Sequence, residues 1–121
     1  MADIRRSLGA YSEDHAARYL ARQGYTIVAR QWRCRAGEID LIAYDGNELV
    51  FVEVRSRRGN HSALESVGHR KQQRLVQLAQ TYCVLQNLPE STNWRIDVIA
   101  IQLGSDGHLR SLEHLRSAVE L

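Results

Sequence analysis

A chain of 121 residues and 13.8 kDa, 44% hydrophobic and 25% charged with a formal net charge of +2, has the make-up of one globular domain spanning 1–121 with a real core. No apolar run approaches the roughly 18 residues that a membrane helix needs, and "MADIRRSLGAYSED" carries no apolar signal segment, so a cytoplasmic protein with no membrane partner is expected. Cys34 and Cys83 stand alone, without CxxC or Cys/His spacing, which argues for free, mostly buried thiols over a disulfide or a zinc site.

The recurrence of Leu8, Tyr11 or Ser12, His15 or Ala16, and Tyr19 or Leu20 predicts a helix over residues 7–23, with Gly24 as its stop and Glu13 and Asp14 in its middle. "YTIVARQWR" (25–33) alternates and is rich in β-branched and aromatic residues, so it reads as a strand. "GEIDLIAY" (37–44) and "ELVFVEVR" (48–55) follow as a hairpin joined through Asp45-Gly46-Asn47. The polar "SRRGNHSA" (56–63) reads as an exposed loop. A second helix is expected from about 64 to 86 on the stripe Leu64, Val67, Leu75, Leu78, Ala79, Tyr82 and Leu85, and Pro89 bars its continuation. "WRIDVIAIQ" (94–102) is a fourth strand; Ser105-Asp106-Gly107 turns the chain, and "LRSLEHL" adds a short edge strand. The expected fold is α/β (α+β mixed): a mixed central sheet of four or five strands flanked by helices, in the order α-β-β-β-α-β(-β). The crossover through the second helix makes strands three and four parallel, while the hairpin is antiparallel.

Fifteen of the sixteen basic residues are arginine and Lys71 is the sole lysine. A G+C-rich genome produces the same bias. Arginine is nonetheless the residue suited to forked contact with phosphate, and the basic residues gather as Arg30/Arg33/Arg35, Arg55/Arg57/Arg58 and Arg70/Lys71/Arg74. Local patches, not overall pI, are what phosphate binding needs. The composition permits a nucleic-acid partner without requiring one.

The hairpin carries the chemistry. Strand alternation sets Glu38 and Asp40 on one face of the first strand, and Glu53 and Arg55 on one face of the second. A two-residue loop at 45 and 46 pairs Glu38 with Glu53; a four-residue loop, 45–48, pairs Asp40 with Glu53. Either gathers Glu38, Asp40, Glu53 and Arg55 on one face, whereas a three-residue loop separates Asp40 from Glu53. Like charges across a sheet repel, so the gathering calls for a reason. A hard divalent cation held by one or two carboxylates is one; pairing of Glu53 with Arg55, Arg57 or Arg33 on a wet face is the other.

The order Asp40, hairpin, Glu53-Val54-Arg55 resembles the D…(D/E)xK signature of the restriction-endonuclease-like superfamily. More closely, "GEIDLIAYDGNELVFVEVRSR" is similar to the diagnostic stretch of the small bacterial YraN-like family, itself similar to archaeal Holliday-junction resolvases. The resemblance covers nearly the whole chain, from "LGAYSEDHAARYLARQGYTIVARQWR" through "HRKQQRL" to "WRIDVIAI". It implies a restriction-endonuclease-like fold and a Mg²⁺- or Mn²⁺-dependent endonuclease acting on DNA rather than RNA, on branched or structured DNA, as a homodimer that cuts two strands symmetrically. Asp40 and Glu53 then hold metal with the backbone carbonyl of Val54, Glu13 completes the site, and Glu38 assists. Arg55 stands where the motif has lysine: it supplies charge but sheds no proton near neutral pH. Lys71 is the substitute that the second helix offers. Arg33, Arg57, Arg58 and Arg70 guide the nucleic-acid backbone. The rival readings are a nucleic-acid-binding module that kept a nuclease fold with lost or weak cleavage, and a protein-interaction domain whose acids are a paired surface.

Other residues draw plainer expectations. The five histidines show no metal-ligand spacing and read as surface residues. Ser56, Ser62 and Ser66 lack a GxSxG context. Asp97 reads as a paired strand-end acid, and Trp32 as a core or rim residue rather than a base-stacking platform.

Overall fold

A computed structural model describes residues 4–59, 67–119 and 121. Its elements are α1 (Ile4–Arg22), β1 (Thr26–Cys34), β2 (Gly37–Asp45), β3 (Glu48–Arg58), α2 (His69–Leu85), β4 (Trp94–Leu103) and β5 (Leu109–Leu115). The strands form one sheet in the order β1-β2-β3-β4-β5. β1, β2 and β3 are an antiparallel meander, β4 is parallel to β3, and β5 returns antiparallel on the far edge. This is the mixed architecture that the sequence predicts, including the parallel step through α2 and the edge strand at "LRSLEHL".

The helices cover opposite faces. Ala16 and Leu20 of α1 pack on Leu41, Val50, Val52 and Ile99, while Leu75, Leu78 and Ala79 of α2 pack on Ile42, Phe51 and Ile96. Val50 and Val52 therefore serve one core, and Leu49 and Phe51 the other. Burial on both sides is why β3 and β4 read as near-continuous apolar runs. Both helices end on a left-handed residue followed by a bond back into the last turn. Gly24 (φ 93°) is followed by Tyr25, whose N–H donates to the Leu20 carbonyl at 3.0 Å; Asn87 (φ 54°) is followed by Leu88, which donates to Cys83 at 3.0 Å.

α1 begins at Ile4, three residues before its expected start, and further boundaries differ from expectation. Ser56, Arg57 and Arg58 are not a loop but the end of β3, pairing with Ile101, Gln102 and Leu103. A backbone ladder against the apolar end of β4 holds them whatever their side chains; residues 60–63 lie outside the described part. α2 begins at His69, after an extended Gly68 (φ −69°, ψ 167°); Leu64 lies outside the described residues, and Val67 precedes the helix. Leu85 is 60% exposed, so the buried stripe ends at Tyr82.

The hairpin register is Tyr44↔Leu49 and Asp45↔Glu48, closed by Gly46 (φ 60°) and Asn47. It is the pairing that sets Asp40 level with Glu53, reached with a two-residue turn instead of four.

Candidate functional site

β2 changes phase at Asp40. Strict alternation would put Ile39 and Leu41 on one face, yet Ile39 packs under α2 and Leu41 under α1, with Ile42 again under α2. β1 does the same beside it. Trp32 meets Tyr82 of α2 edge-on, with ring centroids 5.3 Å apart, while Arg30 and Gln31 both reach Glu13 of α1. Gln31 lies in the left-handed region at φ 49°, uncommon for a residue with a side chain. The pairs Arg30↔Leu41 and Trp32↔Ile39 set it opposite Asp40, so both strands twist at one level. The β2–β3 ladder stops there, at Leu41↔Val52. Asp40 turns its carboxyl into the opening, where Oδ2 accepts the Val54 N–H at 2.8 Å in place of a ladder bond.

Under α1 the opening widens into a cleft of about 240 Å³ whose walls include Ser12, Glu13, Gln31, Glu38, Asp40 and Val54. Glu13, 7% exposed, accepts from Gln31 Nε2 at 3.3 Å and from Arg30 Nε at 3.4 Å. Glu53, 6% exposed, turns toward the other helix: its Oε1 lies 3.3 Å from Lys71 Nζ and 3.9 Å from an Arg55 guanidinium nitrogen. The one-face gathering of Glu38, Asp40, Glu53 and Arg55 is thus corrected. Glu38 and Asp40 line the α1 cleft, while Glu53 and Arg55 go with Lys71 of α2, because the phase change at Gln31 and Asp40 turns β2 but not β3.

The acids still feel one another. Burial first, then the negative charge of Glu53, push the Asp40 carboxyl up from 3.8 to about 7; the Val54 N–H opposes the rise, and Glu13 and Glu38 add to it. Among the described residues no group of three or more His, Cys, Asp or Glu side chains could hold a metal ion. What exists is Glu13, Glu38 and Asp40 around the cleft, with Glu53 close enough for its charge to act on Asp40, all hard oxygen donors. That fits a small divalent cation which takes one or two carboxylates and keeps several waters, rather than one caged wholly by protein.

The basic residues divide. Lys71 is 43% exposed at its side chain, next to exposed Arg70 in the first turn of α2. Arg57 is half-buried and donates to the Ser56 carbonyl at 2.9 Å. Arg58 donates two bonds, at 3.2 and 2.9 Å, to the Ser105 carbonyl and so ties β3 to the turn after β4. Arg33 pairs with Glu38 at 3.1 Å on the surface.

Ser12 and Gln31 were not among the expected site residues. Ser12 had a visible signal, a hydroxyl at a buried stripe position beside Glu13; Gln31 had none. A second polar group also emerges. Asp97, fully buried, accepts from Arg95 Nε at 3.0 Å and from the Ser117 N–H at 3.0 Å, and lies 2.7 Å from His114 Nε2, whose Nδ1 is 3.1 Å from the Tyr19 hydroxyl. Asp97 is thus the paired acid expected. His114 is not a surface residue: its side chain is 5% exposed, because it follows Leu112 on the inward face of β5. Trp32 is a packed ring, as expected, and both cysteines are free and half-buried. No described helix is long and apolar enough to cross a membrane.

Residues 12–101, which carry Ser12, Glu13, Asp40, Glu53 and Lys71, match the family described as "Uncharacterised protein family UPF0102". Over 122 residues the chain is 48% identical to a UPF0102 protein of Roseiflexus castenholzii, covering 99% of this chain and 98% of the relative. It is 52% identical over 119 residues to one of Chloroflexus aurantiacus, covering 98% of each. A third, of Herpetosiphon aurantiacus, is 49% identical over 124 residues and 97% of each. The YraN-like character of the hairpin and the match across both helices and four strands agree: the chain belongs to the UPF0102 family.

Proposed function

We propose that this chain is a divalent-metal-dependent, endonuclease-like protein that hydrolyses phosphodiester bonds in DNA, with branched or structured DNA as the favoured substrate. The observation that carries the reading is Asp40. A carboxyl pinned by a main-chain N–H in a cleft, and raised to about 7 by burial and by Glu53, is a poor structural choice and a good cation ligand waiting for its charge to be balanced. Glu13, Glu53 and the Val54 carbonyl are the further donors, and Mg²⁺ or Mn²⁺ is the ion that such oxygens suit.

When bound, the cation would acidify a water and offset charge on the phosphate under attack. The chain's own residues do the rest. Asp40 and Glu13 hold the α1 side of the cleft. Arg55 and Lys71, drawn together by Glu53, place positive charge at the α2 side, where a phosphate would lie. Lys71, the more exposed of the two, is the group able to exchange a proton. Arg70 and Arg57 extend the positive rim, whereas Arg58 is spent on Ser105 and Arg33 on Glu38.

A second reading has its own support. Glu13 is already met by Arg30 and Gln31, and Glu53 by Lys71 and Arg55. Acids so paired suit a nucleic-acid-binding module with weak or lost cleavage. One experiment separates the two: Mn²⁺ and Mg²⁺ titration by calorimetry on wild type and on Asp40→Asn/Glu53→Gln, followed by a synthetic four-way junction. Metal binding that vanishes in the double variant, with metal-dependent nicking, supports the nuclease. Junction binding indifferent to metal and to both substitutions supports the binder.

A further inference from the structure

α2 carries Arg70, Lys71 and Arg74 and no Asp or Glu along its 17 residues. The whole chain is formally at +2, so this helix at +3 leaves −1 for everything else. Lys71 is turned to Glu53 at 3.3 Å. The arginines that form ion pairs among the described residues are Arg30, Arg33, Arg55 and Arg95; Arg70 and Arg74 are exposed and stand outside them.

A matched pair on α1 shows that helix stability does not account for these two. Arg18 and Arg22 are also exposed arginines one turn apart. Asp14 stands one turn before Arg18, in the favourable order of acid then base, and Arg22 lies in the last turn, where the helix dipole favours a cation. On α2 every term is reversed. Arg70 lies in the first turn, at the positive end, with no acid there to offset it. The N-cap is Gly68, which makes no side-chain cap bond, and Arg74 sets a like charge four positions on. Each choice costs the isolated helix some stability, and an anionic partner along this face removes the penalty.

The face also selects among anions. Protein partners dock through apolar anchors, and the exposed large apolar side chains of α2, Val84 and Leu85, stand at its far end. Around Arg70 and Arg74 the exposed neighbours are His69, Gln73 and Gln77, polar and formally uncharged. A positive, polar surface is the character of a nucleic-acid interface, and the guanidinium fork matches phosphate oxygens. We infer that the outer face of α2, through Arg70 and Arg74, binds the phosphate backbone of DNA, and does so without a metal ion. The α1 cleft lies on the other face of the sheet, so the backbone held here is a different stretch from any that enters the cleft, as the arms of a branched DNA supply. The inference rests on the DNA reading given above and not on a cation in the cleft.

The test is binding of a synthetic four-way junction in EDTA over a series of NaCl concentrations, with thermal melts of the free protein. The proteins are wild type, Arg70→Gln/Arg74→Gln, Arg70→Lys/Arg74→Lys and the matched control Arg18→Gln/Arg22→Gln. Each phosphate contact contributes about 0.9 to the slope of log affinity against log salt, so the Gln pair on α2 should lower the slope by about 2 while melting no lower than wild type. The Lys pair and the α1 control should keep the slope. A slope unchanged by Arg70→Gln/Arg74→Gln while the wild type binds overturns the role of α2 and leaves the DNA reading standing. An equal fall in the α1 control overturns it in favour of overall charge, and a melt lowered in step with affinity overturns it in favour of a structural role. Displacement of the junction by poly-glutamate at equal charge assigns the face to an acidic protein instead. Binding that appears only with Mg²⁺ overturns this inference alone; no junction binding with or without Mg²⁺ overturns the DNA reading first and this inference with it.

Discussion

The Val54 amide donates to Asp40 Oδ2 at 2.8 Å at the level where β2 parts from β3. One bond thereby closes the end of the ladder and fixes the orientation of the most perturbed carboxyl described. It also separates two things that are ordinarily entangled, because an asparagine at position 40 keeps an acceptor for the amide while losing the charge.

Asp40→Asn should therefore stabilise the metal-free protein, and only over a defined pH range. Asp40 releases its proton near 3.8 in the unfolded chain and near 7 in the folded one. Between those values the folded state holds a proton that the unfolded state has lost, so stability falls as pH rises through the interval and stays low above about 7. Urea melts from pH 4 to 8.5 should show wild type and variant alike at the acid end, with the variant ahead by on the order of 1–3 kcal/mol at pH 8. Saturating Mn²⁺ at pH 8 should reverse the ranking, since only the wild type gains by binding. A constant difference across the pH range would remove Asp40 from the titration.

Gln31 shows what strand periodicity leaves out. Alternation and turn chemistry were enough to read the meander, the α2 crossover and the edge strand, because each depends on the apolar spacing of a single element. Asp40 and Glu53 stand out as candidates by their order and residue type, and Glu13 only through the family resemblance. Nothing in "ARQWR" marks Gln31 as left-handed, and strict alternation therefore put Glu38 and Glu53 on one face. The partnership of Glu53 with Lys71 depends on where a helix 18 positions further along the chain docks, and the clamp of Arg58 on Ser105 spans 47 positions. Such long-range placements are set by packing, not by local pattern. For the same reason the polar tail of β3 read as a loop: its order comes from the β4 backbone beside it.

The strain at Gln31 can be measured directly. A side chain in the left-handed region costs about 1–2 kcal/mol, and more when branched at Cβ. Gln31→Gly removes that strain and the 3.3 Å bond to Glu13 together, so it should stay within about 1 kcal/mol of wild type. Gln31→Val should fall below Gln31→Gly by about 1–2 kcal/mol in chemical denaturation. Equal stability of the two would mean that β1 can pass this point without the left-handed residue.

Under the proposed function Lys71 would be a competitor and a helper at once. Its ammonium occupies Glu53 at 3.3 Å, which screens that acid from any cation. In Lys71→Ala the carboxylate loses its nearer cation and keeps Arg55 at 3.9 Å, and Mn²⁺ affinity measured by calorimetry should rise several-fold. Nicking of a four-way junction should fall by about 10²-fold or more, as expected for loss of a group that transfers a proton or stabilises charge. Opposite movement of affinity and rate is the signature sought; affinity and rate falling together would make Lys71 a support for the fold of α2.

Asp97 lies away from the cleft and tests the fold instead. Fully buried, it satisfies Arg95, His114 and the Ser117 amide, and through His114 it reaches Tyr19 of α1, so β4, β5, α1 and the segment after β5 are joined through one carboxylate. Asp97→Ala leaves His114 and the Ser117 amide without their acceptor, while Arg95 keeps Glu48, Asp45 and the Tyr25 hydroxyl, and should cost about 2–3 kcal/mol. Tyr19→Phe removes only the outermost bond and should cost about 1 kcal/mol. If Asp97→Ala were as mild as Tyr19→Phe, water would have to enter and replace the carboxylate, and the buried chain would be a consequence of packing rather than a cause of it.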